Sequence, residues 1–345
     1  MEEESAFSRE ELSWLLAQSK IPRPLVFEDS ILKILDQRAL PGKIVYVNVD
    51  NWEEVALAIK NMMVRGAPMI GIAGAYGMAL AVMKDPGNIE KAAIELKKAR
   101  PTAVNLPWAV DRVLGIARSD LTKAIEEAKK IEVEDHEKSF LIAKNASTLI
   151  KPGMRILTHC NSGSLAAGGF GTALGCIVWA KLIDGKEVSV FNTETRPYLQ
   201  GSRLTSFELV SAGVPDTLIP DMAASLLMSK RMVDLIIVGA DRIARNGDVA
   251  NKIGTLQLAI SAHQYDIPFY VAAPRSTFDL TIESGKEIPI EERPAEELVV
   301  FNGIKMAPDG ISVFNPAFDV APFDLVTGYI TESGIIGAWK IPYLD

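Results

Sequence analysis

From Lys151-Pro-Gly153 onward the chain repeats one pattern, a short β-rich apolar run followed by a helical segment. The runs are Ile156-Leu-Thr-His159, Val188-Ser-Val-Phe191, Asp216-Thr-Leu-Ile219, Leu235-Ile-Ile-Val238 and Phe269-Tyr-Val-Ala-Ala273. Between them, residues 171–182, 199–212, 222–230 and 255–265 fit helices. Such alternation predicts a parallel sheet covered by helices on both faces, a Rossmann-like layer. The earlier part reads differently. Lys43-Ile-Val-Tyr-Val-Asn-Val49 alternates at period two, as a half-buried strand does. Residues 52–63, 71–83, 88–99, 108–116 and 121–149 carry apolar side chains at three/four spacing, punctuated by Pro68, Pro86, Pro101 and Pro107. A chain of 345 residues is too long for one small core. The predicted class is therefore α/β. Residues 1–145 form a mainly helical domain with a small sheet, and 146–345 a Rossmann-like domain.

The charge balance is acidic, 36 basic residues against 44 acidic, net -8. That argues against a general nucleic-acid or anionic-membrane surface. The acidic start, Met-Glu-Glu-Glu-Ser, does not look like a signal peptide. The most apolar window, 69–83, is rich in Gly and Ala and reads as a packed internal helix. Two cysteines, Cys160 and Cys176, cannot build a disulfide scaffold, so a reducing cytoplasm is expected. His136, His159 and His263 stand in no metal-ligand spacing. Gly163, Gly168, Gly169 and Gly171 do not fit a dinucleotide fingerprint, and there is no P-loop. A Rossmann-like sheet used without a nucleotide cofactor is the consequence.

Two strand ends carry reactive groups. Met154-Arg-Ile-Leu-Thr-His-Cys160 closes on a thiol and opens a turn of small residues, Asn161 to Gly169. In open α/β sheets ligands bind at the carboxyl ends of strands. A helix N-terminus following the turn would favour a thiolate. Val233-Asp-Leu-Ile-Ile-Val-Gly-Ala240 leads to Asp241 in the same way. A thiol and a carboxylate at two strand ends of one sheet can form an acid/base pair. Each also has a plainer reading, an inert buried thiol and a helix cap. Cys176, in the middle of a helical segment, reads as core.

Other segments offer ligand groups. Arg65-Gly66-Ala67-Pro68 precedes the Gly/Ala-rich helix, where free N–H groups and a guanidinium suit an anion. Arg100-Pro-Thr-Ala-Val-Asn105-Leu-Pro-Trp108 is a proline-braced connector with Arg and Asn. Glu194-Thr-Arg196-Pro-Tyr-Leu-Gln200-Gly-Ser-Arg203 follows a strand, and Asn251-Lys252-Ile-Gly254 precedes a helix. Taken singly, each of these could be structural.

Together and in this order, the segments resemble the S-methyl-5-thioribose-1-phosphate isomerases of methionine salvage. Those enzymes share a superfamily with ribose-1,5-bisphosphate isomerase and with regulatory subunits of a translation-initiation exchange factor. The resemblance runs from Ile34-Leu-Asp-Gln37 to Gly334 through Val64-Arg-Gly-Ala-Pro-Met-Ile-Gly71, Thr158-His-Cys-Asn-Ser-Gly163 and Gly239-Ala-Asp-Arg242, with the Arg100, Glu194–Arg203 and Asn251 segments between and after. It implies a homodimer packed through the second domain, and no metal or nucleotide cofactor. It implies Cys160 and Asp241 as the catalytic pair, with Arg65, Gly66, Ala67, Arg100, Gln200, Asn251 and Lys252 holding a small sugar phosphate.

The implied chemistry accounts for these groups. Phosphate on the anomeric carbon keeps the sugar ring from opening freely, so an acid must protonate the ring oxygen; a neutral carboxyl can do so. A hydrogen then moves between carbons one and two. In an enediol route Cys160 takes the proton; in a hydride route it sits beside the migrating hydrogen. A bisphosphate substrate would need cations at the far end of the sugar, where Trp108 instead offers apolar surface for a thioether. A non-catalytic regulatory subunit would need neither Cys160 nor Asp241.

Overall fold

The computed structural model describes residues 6–100 and 104–338, so Pro101, Thr102 and Ala103 of the proline-braced connector lie outside it. The chain opens with helix α1 (Arg9–Gln18), capped by a reciprocal Ser8/Glu11 box. Three strands, β1 (Leu25–Glu28), β2 (Ile31–Leu35) and β3 (Tyr46–Val49), form an antiparallel sheet in that order. Five helices follow: α2 (Trp52–Lys60), α3 (Ala67–Lys84), α4 (Ile89–Lys98), α5 (Asn105–Ser119) and α6 (Ala124–Ala146).

Helix α3 is the axis of this half. It is apolar on every side, and buried residues surround it. Among the described residues it alone is long and apolar enough to cross a membrane, but 78% of it is buried inside the protein. Gly71, Gly74 and Gly77 explain the tight fit. A Cβ on Gly74 would stand 2.5 Å from Leu106 Cδ1, and one on Gly77 would stand 3.0 Å from Leu96 Cδ2. The bare glycine stripe lets α4 and α5 press against α3.

The second half is built on a seven-stranded sheet. Its strands are β4 (Arg155–Thr158), β5 (Ser189–Thr193), β6 (Asp216–Ile219), β7 (Leu235–Val238), β10 (Phe269–Ala272), β15 (Gly328–Thr331) and β16 (Gly334–Gly337). They lie in the order β16-β15-β10-β7-β4-β5-β6, all parallel except β16. Helices α7 (Ala173–Leu182), α8 (Ser206–Ser211), α9 (Ala224–Ser229) and α10 (Thr255–Gln264) connect strands. The five runs read from the sequence are all strands of this sheet. From β4 the chain progresses outward through β5 to β6, then returns to β7 and progresses the other way. The reversal leaves a crevice between β4 and β7, a topological switch point.

A second sheet was not foreseen. It joins β8 (Arg242–Ala244), β9 (Val249–Lys252), β11 (Phe278–Asp279) and β14 (Phe318–Ala321) in the order β11-β8-β9-β14. Asp241 therefore precedes a strand and caps no helix. A small hairpin, β12 (Val300–Phe301) and β13 (Ile304–Lys305), follows the short helix α11 (Glu296–Val299).

One apolar core gathers residues from Leu25 to Ile131 around α3. Another surrounds the parallel sheet and recruits Leu12 and Leu15 of α1 together with Phe140 and Ala143 of α6. Helix α6 thus serves both cores and ties them together.

Asp319 of β14 caps α10 from outside, accepting the N–H groups of Gly254 at 2.7 Å and Leu256 at 3.0 Å. Burial raises its pKa from 3.8 to about 6. The folded protein holds this proton more tightly than the unfolded chain. The residue's contribution is therefore full below about pH 4 and is lost as pH rises through about 6. We expect Asp319→Ala to lower unfolding free energy by about 1–2 kcal/mol. Thermal or urea unfolding will show a gap from wild type that is widest in acid and narrows toward neutral pH. A gap that widens with pH would mean that the carboxylate form is the stabilising one.

Candidate active site

The crevice at the switch point is the mouth of a cleft of about 1250 Å³, counting space open to solvent. Cys160 lies two residues beyond β4 and Asp241 three beyond β7, so both line it. Arg65, Gly66, Ala67, Arg100, Gln200, Asn251 and Lys252 line it as well. The structure thus brings the expected catalytic pair and the seven expected substrate-holding residues to one cleft, while Asn105 lies outside it.

Cys160 has a left-handed backbone, φ 63°, a conformation that costs a residue bearing a side chain. Two threonines hold it. Its N–H donates to Thr195 Oγ1 at 2.9 Å, and its carbonyl accepts from Thr205 Oγ1 at 2.5 Å. The preceding His159 is buried between Thr193 Oγ1 at 2.6 Å and the Ile253 carbonyl at 2.8 Å. Because Nε2 must donate to that carbonyl, Nδ1 accepts from the threonine. Burial pushes the imidazole pKa down, which keeps the ring neutral.

A helix following Cys160 was expected to favour its thiolate. Helix α7 starts only at Ala173. Desolvation instead pushes the thiol pKa up, while Arg65 and Lys252 pull against it.

Asp241 is reachable through the cleft, yet the protein around it desolvates the carboxyl and raises its pKa. Lys252, Arg65 and Arg100 oppose that shift; Glu291 adds to it. The Asp241 N–H donates to the Ala250 carbonyl at 3.0 Å. Antiparallel pairing of β8 with β9 then sets Asn251 and Lys252 beside the carboxylate strand. Lys252 Nζ donates to the Ala317 carbonyl at 2.8 Å and stands 4.8 Å from the Phe318 ring centroid. The buried Asn251 Nδ2 donates to Thr255 Oγ1 at 3.0 Å. Gln200 is buried too, and its Oε1 has no hydrogen-bond partner among the described residues. A buried acceptor without a donor is costly, and a ligand hydroxyl would relieve it.

Arg65 and the start of α3 form the opposite wall. The guanidinium donates from Nη1 to Asn161 Oδ1 at 2.5 Å and from Nη2 to the Asn161 carbonyl at 2.7 Å. Gly66, at φ 93°, caps α3 against the turn after Cys160; a Cβ there would stand 2.3 Å from the Ala166 carbonyl oxygen. Met69 N–H donates to that same carbonyl and Pro68 has no N–H. The first turn of an 18-residue helix thus faces the cleft beside a guanidinium, a good anion site. Arg100 Nη1 contacts Met62 Sδ, and its Nη2 stands 3.8 Å from Glu291.

Three sequence readings change. Trp108 lies outside this cleft: it is 47% exposed, stacked near Arg112 and Lys138, and lines a neighbouring cavity. Apolar surface in the cleft comes from Met62, Ile70, Ile288, Pro289 and Phe318 instead. Arg196 and Arg203 have structural contacts, Arg196 over the Phe301 ring and Arg203 on the carbonyls of Gln37 and Arg38. Sequence reasoning also passed over Thr195, Thr205 and Glu291. Nothing in their local pattern sets them apart; only the fold carries them to the strand ends.

The sequence profile of the initiation factor 2 subunit family matches residues 63–338. A methylthioribose-1-phosphate isomerase from Caldanaerobacter subterraneus is 49% identical over 330 residues, which is 91% of this chain and 95% of the relative. The crystal structure of 5-methylthioribose 1-phosphate isomerase from Pyrococcus horikoshii superposes with a TM-score of 0.88 at 40% identity, covering 99% of each chain. The structure described as translation initiation factor eIF-2B, subunit delta, from A. fulgidus gives 0.85 at 42% identity, covering 94% of this chain and 100% of that one. The switch-point cleft is therefore set in a fold shared along nearly its whole length, and this chain belongs to the initiation factor 2 subunit family.

Proposed function

We propose that the cleft converts S-methyl-5-thio-α-D-ribose 1-phosphate to S-methyl-5-thio-D-ribulose 1-phosphate, an aldose–ketose isomerisation in methionine salvage. The observation that carries this reading is the convergence of Cys160 and Asp241, from neighbouring strands, on a cleft that Arg65, Arg100 and Lys252 also line. Full-length relatives named for this isomerase support it.

In this mechanism Arg65, Lys252 and the N–H groups of Gly66 and Ala67 hold the phosphate, with Arg100 beside them. Asn251 and Gln200 accept or donate to sugar hydroxyls. The apolar wall of Met62, Ile70 and Phe318 takes the thioether. Neutral Asp241 protonates the ring oxygen as its bond to carbon one breaks. A hydrogen passes from carbon two to carbon one, the O2 proton leaves, and the carbonyl forms at carbon two. Isomerisation is proton-neutral overall, so the carboxylate left on Asp241 can take the O2 proton. Cys160 lines the path of the migrating hydrogen. Its raised pKa favours the neutral thiol, and hence transfer without a thiolate base.

The same reading divides the chain near residue 145 and makes the protein a cytoplasmic homodimer. Two free cysteines suit a reducing compartment. Strand β6 is an unpaired sheet edge, and Val210, Leu218, Met222 and Leu226 near it are 72%, 48%, 80% and 54% exposed. An apolar sheet edge calls for a cover.

Proton NMR should show turnover of the thioether sugar phosphate and none of ribose 1,5-bisphosphate. Cys160→Ser and Asp241→Asn should each cut kcat by about 10²–10⁴-fold while keeping inorganic-phosphate binding. Full activity in either variant would remove that residue from the mechanism.

Asp241 must be protonated to act. The rate should hold through acidic pH and fall as pH climbs through its raised pKa. Bound phosphate occupies the cations that hold this pKa down, so the fall in kcat should lie at higher pH than the fall in kcat/KM. A rate that rises with pH across that range would point to a thiolate base instead. Sedimentation velocity should give a dimer mass, reduced to the monomer by Met222→Glu; a wild-type monomer would end the dimer proposal.

A further inference from the structure

Glu208 is a carboxylate with no surface of its own. It lies on α8 at 0% exposure, outside the set of residues that line the cleft. Its two oxygens are surrounded by donors. Oε1 accepts from Asn161 Nδ2 at 2.7 Å and from the Leu165 N–H at 3.4 Å. Oε2 accepts from the Ser164 N–H at 2.7 Å and Ser164 Oγ at 2.9 Å. The chain makes room for it. Gly163 has no side chain, and a Cβ there would stand 2.2 Å from Oε2.

Asn161 is the next link. An amide has one donor end and one acceptor end. With Nδ2 given to Glu208, Oδ1 must face the other way, and there it accepts from Arg65 Nη1 at 2.5 Å. The Asn161 carbonyl accepts from Nη2 at 2.7 Å. Two of the five N–H groups of the guanidinium are thereby fixed, which leaves three for a ligand. The carboxylate thus determines which way the amide points, and the amide holds the cation.

We propose that Glu208 is a positioning residue for phosphate recognition, acting through Asn161 to hold Arg65 in the orientation that binds the substrate's phosphate. This inference rests on the proposed role of Arg65 as a phosphate ligand. Desolvation raises the Glu208 pKa while the Asn161, Ser164 and Leu165 donors pull it back, and the inference explains why an acidic side chain lies in this dry interior with no ion pair among the described residues. Each of its lone pairs meets a donor, and no neutral side chain of that size offers four acceptor sites.

The isosteric change Glu208→Gln exposes the logic. If the new NH₂ faces Asn161, the amide must flip, and Nδ2 then meets Arg65 donor to donor. If it faces Ser164, a backbone N–H that cannot flip loses its acceptor. Either way the chain breaks. A second change repairs it. In the double variant Asn161→Asp/Glu208→Gln, the amide NH₂ donates to the new carboxylate, which still accepts from Arg65. The glutamine oxygen keeps the Ser164 donors, and the contacts given up are the two long ones, Leu165 N–H to Oε1 at 3.4 Å and Asn161 Nδ2 to Thr205 Oγ1 at 3.2 Å.

The test is inorganic-phosphate binding by calorimetry on the intact protein, with KM and kcat alongside. Arg65→Ala is the control. Glu208→Gln should weaken phosphate by about tenfold, the equivalent of about 1.4 kcal/mol, with the loss falling on KM more than on kcat. The double variant should recover most of it. Arg65→Ala weakening phosphate while folded Glu208→Gln binds as wild type would overturn the inference. Arg65→Ala leaving phosphate unchanged would overturn the phosphate role of Arg65, and the inference with it. If Glu208→Gln does not fold, Asn161→Ala and the double variant decide. Phosphate lost in the first and kept in the second supports the chain, and a folded double variant that fails to bind refutes it.

Discussion

The contact between Gly66 and Ala166 is the constraint on which the site depends. Gly66 starts the long apolar helix of the first half, and Ala166 lies in the turn that follows Cys160. Their backbones meet so closely that no side chain fits at Gly66. The Met69 N–H seals the joint on the Ala166 carbonyl. Helix α6 braces the same turn from behind, with Asp135 accepting the Gly168 N–H and His136 Nδ1 accepting the Gly169 N–H. The turn is thus fixed by hydrogen bonds on both sides, though glycine-rich loops are ordinarily mobile. That matters for chemistry, because a displacement of about 1 Å in a reacting group costs orders of magnitude in rate.

The joint also solves an electrostatic problem. A sugar phosphate would bring about two negative charges into a cleft that already holds Asp241, with Glu291 close by behind Arg100. Coulomb attraction at 4 Å is worth about 4 kcal/mol per unit pair near a protein surface, so three cations are sufficient to offset the repulsion. Most are held in place before a ligand arrives. Arg65 is fixed by Asn161, and Lys252 by the Ala317 carbonyl and the Phe318 face. Pre-placed charges have less freedom to lose on binding. Arg100 is held more loosely, 3.8 Å from Glu291 and against a thioether sulfur. The phosphate would compete with Glu291 for it.

Much of this was legible in the sequence. Leu235-Ile-Ile-Val238 and its sister runs gave away the parallel sheet because strands buried on both faces must be apolar throughout. Cys160 and Asp241 could be singled out because each ends such a run. The second sheet was hidden: β8, β9, β11 and β14 are two to four residues long, too short for period two to register. Trp108 was misplaced for a related reason. Chain order alone does not say which cavity the start of α5 faces, and once α3 packs against it Asn105 and Trp108 both line the neighbouring one. The helix expected to favour a thiolate begins only at Ala173, and a strand-end position also implies burial, which pushes the thiol pKa up. Glu208 gives no warning at all. Flanked by Phe207 and Leu209, it reads as one polar residue on a short helix, and its purpose appears only with four donors around it.

The two raised pKa values set the order of events. In the empty cleft, desolvation raises Asp241 while three cations work to lower it. A bound phosphate dianion satisfies those cations and adds its own negative field. Both changes push the carboxyl toward its neutral form. In the proposed mechanism the substrate would therefore strengthen the acid that opens its ring, and only when phosphate is seated. Arg65 and Lys252 stand in the same relation to Cys160. Once their charge is engaged by phosphate, the Asn161 backbone N–H is left to oppose desolvation, and in the proposed mechanism the balance shifts toward the neutral thiol. On the proposed roles of Asp241, Arg65 and Lys252, phosphate recognition and acid catalysis would be one electrostatic event, and the rigidity of the turn after Cys160 would keep them coupled.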